Sequence, residues 1–300
     1  MKRLIRFAST TLAVIVVAAG LAAALVPTLS DRKQHRLIDV PVAAIAFHVD
    51  DATLVRGKYL FDTRGCASCH GEDGAGKFVI QDENAGLSIK APSIAPGGIA
   101  DTYADADWAR LLRHGVKPTH RPVFVMPSED YAAFTDADVA AIATYTRSLQ
   151  PAPAAAAAFE FPLLLQALYV AGVVQDAAEK IDHTQAHAAT IQPEVSPAYG
   201  AYLSGTCKGC HGAGLAGGRI PGTPPSWPAA ANLTPATDSP MHRYRSREQF
   251  RNMMHTGKRP DGTAVSPVMP FDSLRHMNDL ELDALFEFLK STPPKPTGTR

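Results

Sequence analysis

The sequence predicts an all-α fold: two tandem, loop-rich helical domains preceded by one N-terminal transmembrane helix. Three observations lead there. A unit containing Cys-x-x-Cys-His occurs twice, with its flanking segments in the same order. The segments around it show N-capping residues followed by apolar positions three and four apart, and there is no alternating strand pattern of useful length. The first thirty residues join a basic head to a long uncharged run.

The chain has 300 residues, which suits two ordinary domains better than one. Apolar residues make up 46% and charged residues 19%, enough for real cores and too apolar for a disordered chain. The formal net charge is zero, so no bulk attraction to nucleic acid arises and no nucleic-acid partner is expected.

At the N-terminus, Lys2, Arg3 and Arg6 form the basic head, and no charge occurs from Phe7 to Leu29. That run is long enough to cross a bilayer as a helix. The basic head would stay in the cytoplasm and the remainder would be exported. A cleaved secretory signal is the competing reading, since "AAGLAAA" offers small residues to a peptidase. Both readings place the body outside the cytoplasm, and an uncleaved anchor at 1–30, succeeded by a linker at 31–50, is the expectation.

The repeat organises the remainder of the chain. "GKYLFDTRGCASCHG" from Gly57 matches "GAYLSGTCKGCHG" from Gly200. "WARLLRHGVKP", ending at Pro118, matches "FRNMMHTGKRP", ending at Pro260. Met126 in "VFVMP" matches Met269 in "SPVMP", and "TDADVAAIATYTRSL" from Thr135 matches "NDLELDALFEFLKST" from Asn278. Thr135 with Asp138, and Asn278 with Glu281, read as an N-cap and a third-position acid opening a terminal helix. Further helices are expected from Leu54 toward Asp62 and from Pro197 to Leu203. The Gly- and Pro-rich stretches "APSIAPGGIA" and "GGRIPGTPPSWPAAANLTP" read as loops. The domains are expected at 51–150 and 197–295, with a tail at 296–300. Between the domains, 151–196 is a linker whose apolar run at 159–174 forms a helix docked between or against them. His183 and His187, four apart in that linker, would share a helix face and could hold an adventitious metal.

All four cysteines lie in the two Cys-x-x-Cys-His copies, and that pentapeptide is the attachment signature of c-type haem. Cysteines three apart on a helical turn project to one side and reach the two vinyl groups, while the next residue presents its imidazole to the iron. Cys66 and Cys69 therefore attach one haem with His70 as proximal ligand, and Cys207, Cys210 and His211 serve a second. A zinc site would have to join clusters in separate repeats, and two disulfides would leave the histidines without a role. A distal thioether raises the potential of haem iron and leaves no place for a substrate. Met126 and Met269, each before a proline and at matched spacing, are the candidates. In the second repeat Met241, Met253, Met254 and Met277 lack a counterpart.

Both halves resemble class I cytochrome c domains: a Gly-x-x-Leu lead-in, Cys-x-x-Cys-His-Gly, a Met-Pro distal loop, and a final helix with an aromatic residue. The resemblance implies that the first and last helices of each domain cross at Gly57 with Tyr145 and at Gly200 with Phe288. It also implies that the Pro92 carbonyl accepts from the far N–H of His70; in the second domain the aligned residue is Ala231. From about residue 51 to 294 the chain is similar to the membrane-anchored multi-haem cytochrome subunits of periplasmic alcohol, gluconate and sorbose-type dehydrogenases. Those subunits commonly carry three haems, and this chain has two attachment motifs.

The expected function is that of a non-enzymatic, membrane-tethered di-haem electron carrier, with its haem domains in the periplasm of a bacterium. It would take single electrons from a periplasmic dehydrogenase and deliver them to a cytochrome or terminal oxidase. The alternative is a di-haem enzyme, a peroxidase or a thiosulfate-oxidising cytochrome. The two Met-Pro loops and the lack of a spare cysteine argue against it.

Overall fold

In the computed structural model, which describes residues 7, 11, 20, 23–82, 86–153, 155–223 and 226–300, residues 23–34 form helix α1. Next come α2 (Asp51–Thr63), α3 (Cys66–His70), the strands β1 (Phe78–Asp82) and β2 (Leu87–Lys90), α4 (Asp105–His114) and α5 (Asp136–Ser148). The connecting segment contributes β3 (Ala158–Glu160), α6 (Leu163–Val170) and α7 (Ala177–Lys180). The second unit comprises α8 (Pro197–Leu203), α9 (Lys208–His211), α10 (Arg247–Thr256), α11 (Phe271–Leu274) and α12 (Asp279–Ser291).

Side-chain caps start the corresponding helices. Asp50 Oδ1 accepts from the Thr53 N–H at 2.7 Å to open α2, and Ser196 Oγ from the Tyr199 N–H at 3.2 Å to open α8. Thr135 Oγ1 and Asn278 Oδ1 do the same for α5 and α12, accepting from Asp138 N–H at 3.2 Å and Glu281 N–H at 2.9 Å. In each unit the first and last helices then cross at a glycine. A Cβ built on Gly57 would lie 2.1 Å from the Ala141 carbonyl oxygen and 2.6 Å from Tyr145 Cβ. On Gly200 it would lie 2.1 Å from the Ala284 oxygen and 2.5 Å from Phe288 Cβ. Only a residue without a side chain permits backbones this close.

Each unit has its own core. Leu60, Trp108, Leu112, Phe134, Val139 and Ile142 are buried together in the first. Phe250, Met253, Met254, Leu282, Leu285 and Leu289 are buried in the second. Residues 36–50 run without regular structure along the first unit, where Val40 and Ile45 are buried.

Two parts of the expected fold class are corrected. Among the described residues no helix is long and apolar enough to cross a membrane. The expected span, Phe7 to Leu29, falls mostly on residues outside the described ones. The described end of α1 carries charge: Lys33 pairs with Glu179 at 3.0 Å, and beyond the helix Arg36 pairs with Asp176 at 2.6 Å, tying the segment to α7. The chain is also not all-α. β1, β2 and β3 form an antiparallel sheet in that order, Ile89 standing opposite both Ile80 and Phe159. Strands of three to five residues show no readable alternation. The third comes from the linker, so its pairing depends on contacts distant in sequence. The apolar linker run forms only the eight-residue α6, and His183 and His187 lie beyond α7 in a non-helical segment, not on one helix face.

The units meet through reciprocal contacts. Tyr59 and Tyr202 occupy the same position in the repeat, and each reaches the N-terminus of the other unit's last helix. Asn278 N–H donates to Tyr59 Oη at 3.0 Å, and Thr135 N–H to Tyr202 Oη at 3.4 Å. Between them lies a charged network. Arg56 binds Asp138 through Nε and Nη2, both at 2.9 Å, and reaches Glu281 at 3.2 Å. Arg64 donates to Glu281 at 2.6 Å and Tyr199 Oη to the same carboxylate at 3.0 Å, while Tyr202 Oη donates to Asp138. Glu281 is 1% exposed. Burial pushes its carboxyl up, but the attraction and hydrogen bond of Arg64, with Arg56 beyond, prevail and hold it below the ordinary glutamate value.

Candidate functional site

Helix α3 places Cys66, Cys69 and His70 on one short turn directly after α2. His70 Nδ1 stands 2.9 Å from the Pro92 carbonyl oxygen. A carbonyl only accepts, so Nδ1 carries the proton and Nε2 keeps its lone pair. Burial pushes the His70 pKa down, favouring the neutral imidazole that a metal requires. The four cysteines are unpaired thiols, and burial, reinforced by neighbouring Cys69, pushes Cys66 up to about 12.

Cys66, Cys69, His70, Pro92 and Met126 line one cavity of about 450 Å3. Its floor is apolar, with Leu112, Ile142 and Trp108 from the core. Its roof was not foreseen: Phe159 and Tyr169 from the linker, stacked around Phe124 at ring distances of 5.1 and 4.9 Å, cover it with the sheet. Two features suit an apolar macrocycle bearing carboxylates. Trp108 Nε1 is buried on the wall without a hydrogen-bond partner, and Lys117 and Arg121 border the same space. A haem fits these residues.

The second unit repeats the attachment geometry. Cys210 and His211 belong to α9, which Cys207 immediately precedes. His211 Nδ1 stands 2.7 Å from the Ala231 carbonyl oxygen, so the missing proline costs nothing: any backbone carbonyl can take this bond. Burial likewise lowers the His211 pKa and raises Cys207 to about 12. Cys207 and Met269 border the same buried cluster. The two Met-Pro turns share one backbone conformation, Pro127 at φ −80°, ψ 64° and Pro270 at φ −78°, ψ 63°. The additional methionines Met241, Met253, Met254 and Met277 are core residues, 2–5% exposed.

The two attachment segments also face one another's methionine turns. Gly209, inside the second motif, donates its N–H to Asp130 Oδ1 at 3.0 Å, four residues past Met126. Ser68, inside the first motif, stands 2.7 Å from the hydroxyl of Ser273, four residues past Met269. Desolvation, with Glu129 adding to it, pushes the Asp130 carboxyl up to about 8.

The family model for cytochrome c matches residues 54–150 and again 197–293, most of both units. The chain belongs to the cytochrome c family. It is similar to the fructose dehydrogenase cytochrome subunit of Gluconobacter japonicus, at 27% identity over 81% of this chain and 53% of that protein. It is 28% identical to the cytochrome c subunit of alcohol dehydrogenase (quinone) from Gluconobacter oxydans (strain 621H), over 85% of this chain and 58% of the relative. A shorter match, 34% identical over 97 residues, covers 32% of this chain and 28% of the Cbb3-type cytochrome c oxidase subunit CcoP of Helicobacter pylori (strain 52). The chain thus spans little more than half the length of its two longest-matching curated relatives. Membership makes it an electron-transfer cytochrome, and its two cytochrome c domains imply covalently bound haem c.

Sequence reasoning passed over Trp108, Lys117 and Arg121. All three lie in or just after the matched "WARLLRHGVKP" segment, but the repeat partner of Trp108 is Phe250, so the comparison hid the indole donor. The roof residues Phe159 and Tyr169 have no counterpart in the second unit and left no repeat signal.

Proposed function

We propose that this cytochrome is a di-haem electron carrier, one haem in each unit. Cys66 and Cys69 hold the first by thioether bonds, with His70 and Met126 as axial ligands; Cys207, Cys210, His211 and Met269 serve the second. Bound haem supplies a reversible one-electron couple, and the chain sets its potential and access. The carbonyls of Pro92 and Ala231 fix each imidazole's tautomer and orientation. The methionine sulfurs fill the distal positions and keep substrate off the iron. Trp108, Lys117 and Arg121 offer donors to the carboxylates of the first haem, and the linker roof excludes water from it. No side chain acts as acid, base or nucleophile.

The observation that carries this reading is the convergence of Cys66, Cys69, His70 and Met126 on one cavity. Electrons pass between the units inside the chain; the support is the contact of each attachment segment with the opposite methionine turn. The donor is a dehydrogenase and the acceptor a cytochrome or terminal oxidase, as the names of the relatives suggest. The basic head and uncharged run support a site of action outside the cytoplasm, in the periplasm.

A pigment assay on denatured protein tests the stoichiometry: two covalently held haems per chain are expected, and fewer would refute the assignment. Met126→Ala should lower the potential of one haem only and open its reduced iron to carbon monoxide. Absence of new carbon monoxide binding would remove Met126 from the ligand set.

A further inference from the structure

Three histidines outside both haem sites come together where the linker docks on the first unit. His114, the last residue of α4, is 4% exposed. Its Nδ1 stands 3.1 Å from Nδ1 of His183, and the two rings lie 5.3 Å apart at 37°. The His187 ring lies 6.0 Å from that of His114, and its Nε2 stands 2.8 Å from the Ala132 carbonyl.

We propose that His114, His183 and His187 form a binding site for a divalent transition-metal ion of the zinc class, clamping the linker to the first unit. Two nitrogens sharing a tetrahedral zinc at about 2.0–2.1 Å stand roughly 3.3 Å apart. The Nδ1 pair therefore needs to open by only a few tenths of an ångström. The carbonyl bond of His187 fixes the proton on Nε2 and leaves Nδ1 as a lone pair, the arrangement by which a backbone carbonyl orients a ligating imidazole. Among the described residues no three such side chains already converge on one point. The His114–His183 pair is the preset part, His187 completes it by a ring shift, and water takes the fourth position. Of the pair, the ring that now donates the hydrogen bond moves its proton to Nε2 on binding, so neither ring needs to lose charge.

The surroundings keep the site ready. Asp136 N–H donates to Ala188 O at 3.1 Å and Ala137 N–H to Ala189 O at 3.0 Å, pinning the segment that bears His183 and His187 to the start of α5. Burial, followed by the two neighbouring histidines and by Arg113 and Arg110, holds His114 down to about 4, so it is neutral near pH 7. The nearby Arg113 charge is taken up by Asp136 at 2.7 Å. The second unit has no equivalent: His255 instead meets Arg275 O at 2.9 Å and Asp279 at 3.2 Å.

The test is calorimetric titration of the full chain with zinc chloride, the four cysteine sulfurs blocked by haem attachment or by alkylation. One saturable site per chain is expected, together with a rise in melting temperature. His183→Ala, at a half-exposed position that leaves the fold intact, should weaken binding about tenfold or more, and His187→Ala should also weaken it. His242→Ala, an exposed histidine elsewhere, should leave binding unchanged. No saturable uptake, or uptake indifferent to His183→Ala, would overturn the site. Neither outcome bears on the haem assignments, which the pigment assay tests separately.

Discussion

Glu281→Gln changes one atom at the centre of the contact between the units. The glutamate is 1% exposed and is the carboxylate facing Arg64, whose own side chain is 3% exposed in the pair. The amide keeps the shape and leaves a guanidinium buried against a neutral partner. Breaking a buried pair from one side costs about 3–5 kcal/mol, mainly because the surviving charge has lost its compensation. Arg56 is less affected, since Asp138 still holds it through two bonds of 2.9 Å. The assay is equilibrium denaturation of the haem-loaded chain, tracking both the haem spectrum and the far-ultraviolet signal. The companion double variant Arg64→Met/Glu281→Leu removes both charges and should recover most of the loss. The pH dependence has a definite sign. The folded Glu281 carboxyl lies below the ordinary 4.5, so its contribution is full above about that pH and is lost as pH falls through the folded value. Glu281→Gln should therefore differ most from wild type at neutral pH and least in acid. A loss below about 1 kcal/mol at pH 7, in the range of exposed ion pairs, would show that the network is solvated and the argument wrong.

Gly200→Ala would put a methyl 2.1 Å from the Ala284 oxygen and should destabilise the second unit by about 1–3 kcal/mol or more; an unchanged denaturation midpoint would rule out the crossing. Trp108→Phe copies the residue at the matching position, Phe250, and removes the unpartnered indole donor; redox titration should show one potential moving and the other fixed. Asp130→Asn tests the carboxyl whose folded value, about 8, lies above the unfolded 3.8. Between those values the folded state binds the extra proton, so wild-type stability declines as pH rises across that interval. The variant should melt progressively higher than wild type from pH 4 to pH 8. A constant difference over that range would contradict the shift.

The first unit shows how far the sequence reaches. The N-caps Thr135 and Asn278 and the α8 bounds were readable because capping is local chemistry, settled within three or four residues. Placing Cys66, Cys69 and His70 together was equally local, since they occupy one turn. The crossings at Gly57 and Gly200 were legible only through the family resemblance, because no single-sequence signal says what a glycine must touch.

Other features depend on contacts between distant residues. β3 meets β2 only because the linker folds back, and strands this short carry no period of their own. The apolar N-terminal run had the composition of a span, yet the charged end of its described helix is paired with α7. The exchange of tyrosines between units, the burial of Arg64 against Glu281, and the gathering of His114 with His183 and His187 likewise join segments far apart in sequence. Motif spacing fixed which atoms could hold an iron, because covalent and helical geometry acts over a few residues. Which cavity is roofed, which charges lose water and which histidines meet was decided by packing, whose partners no local rule selects.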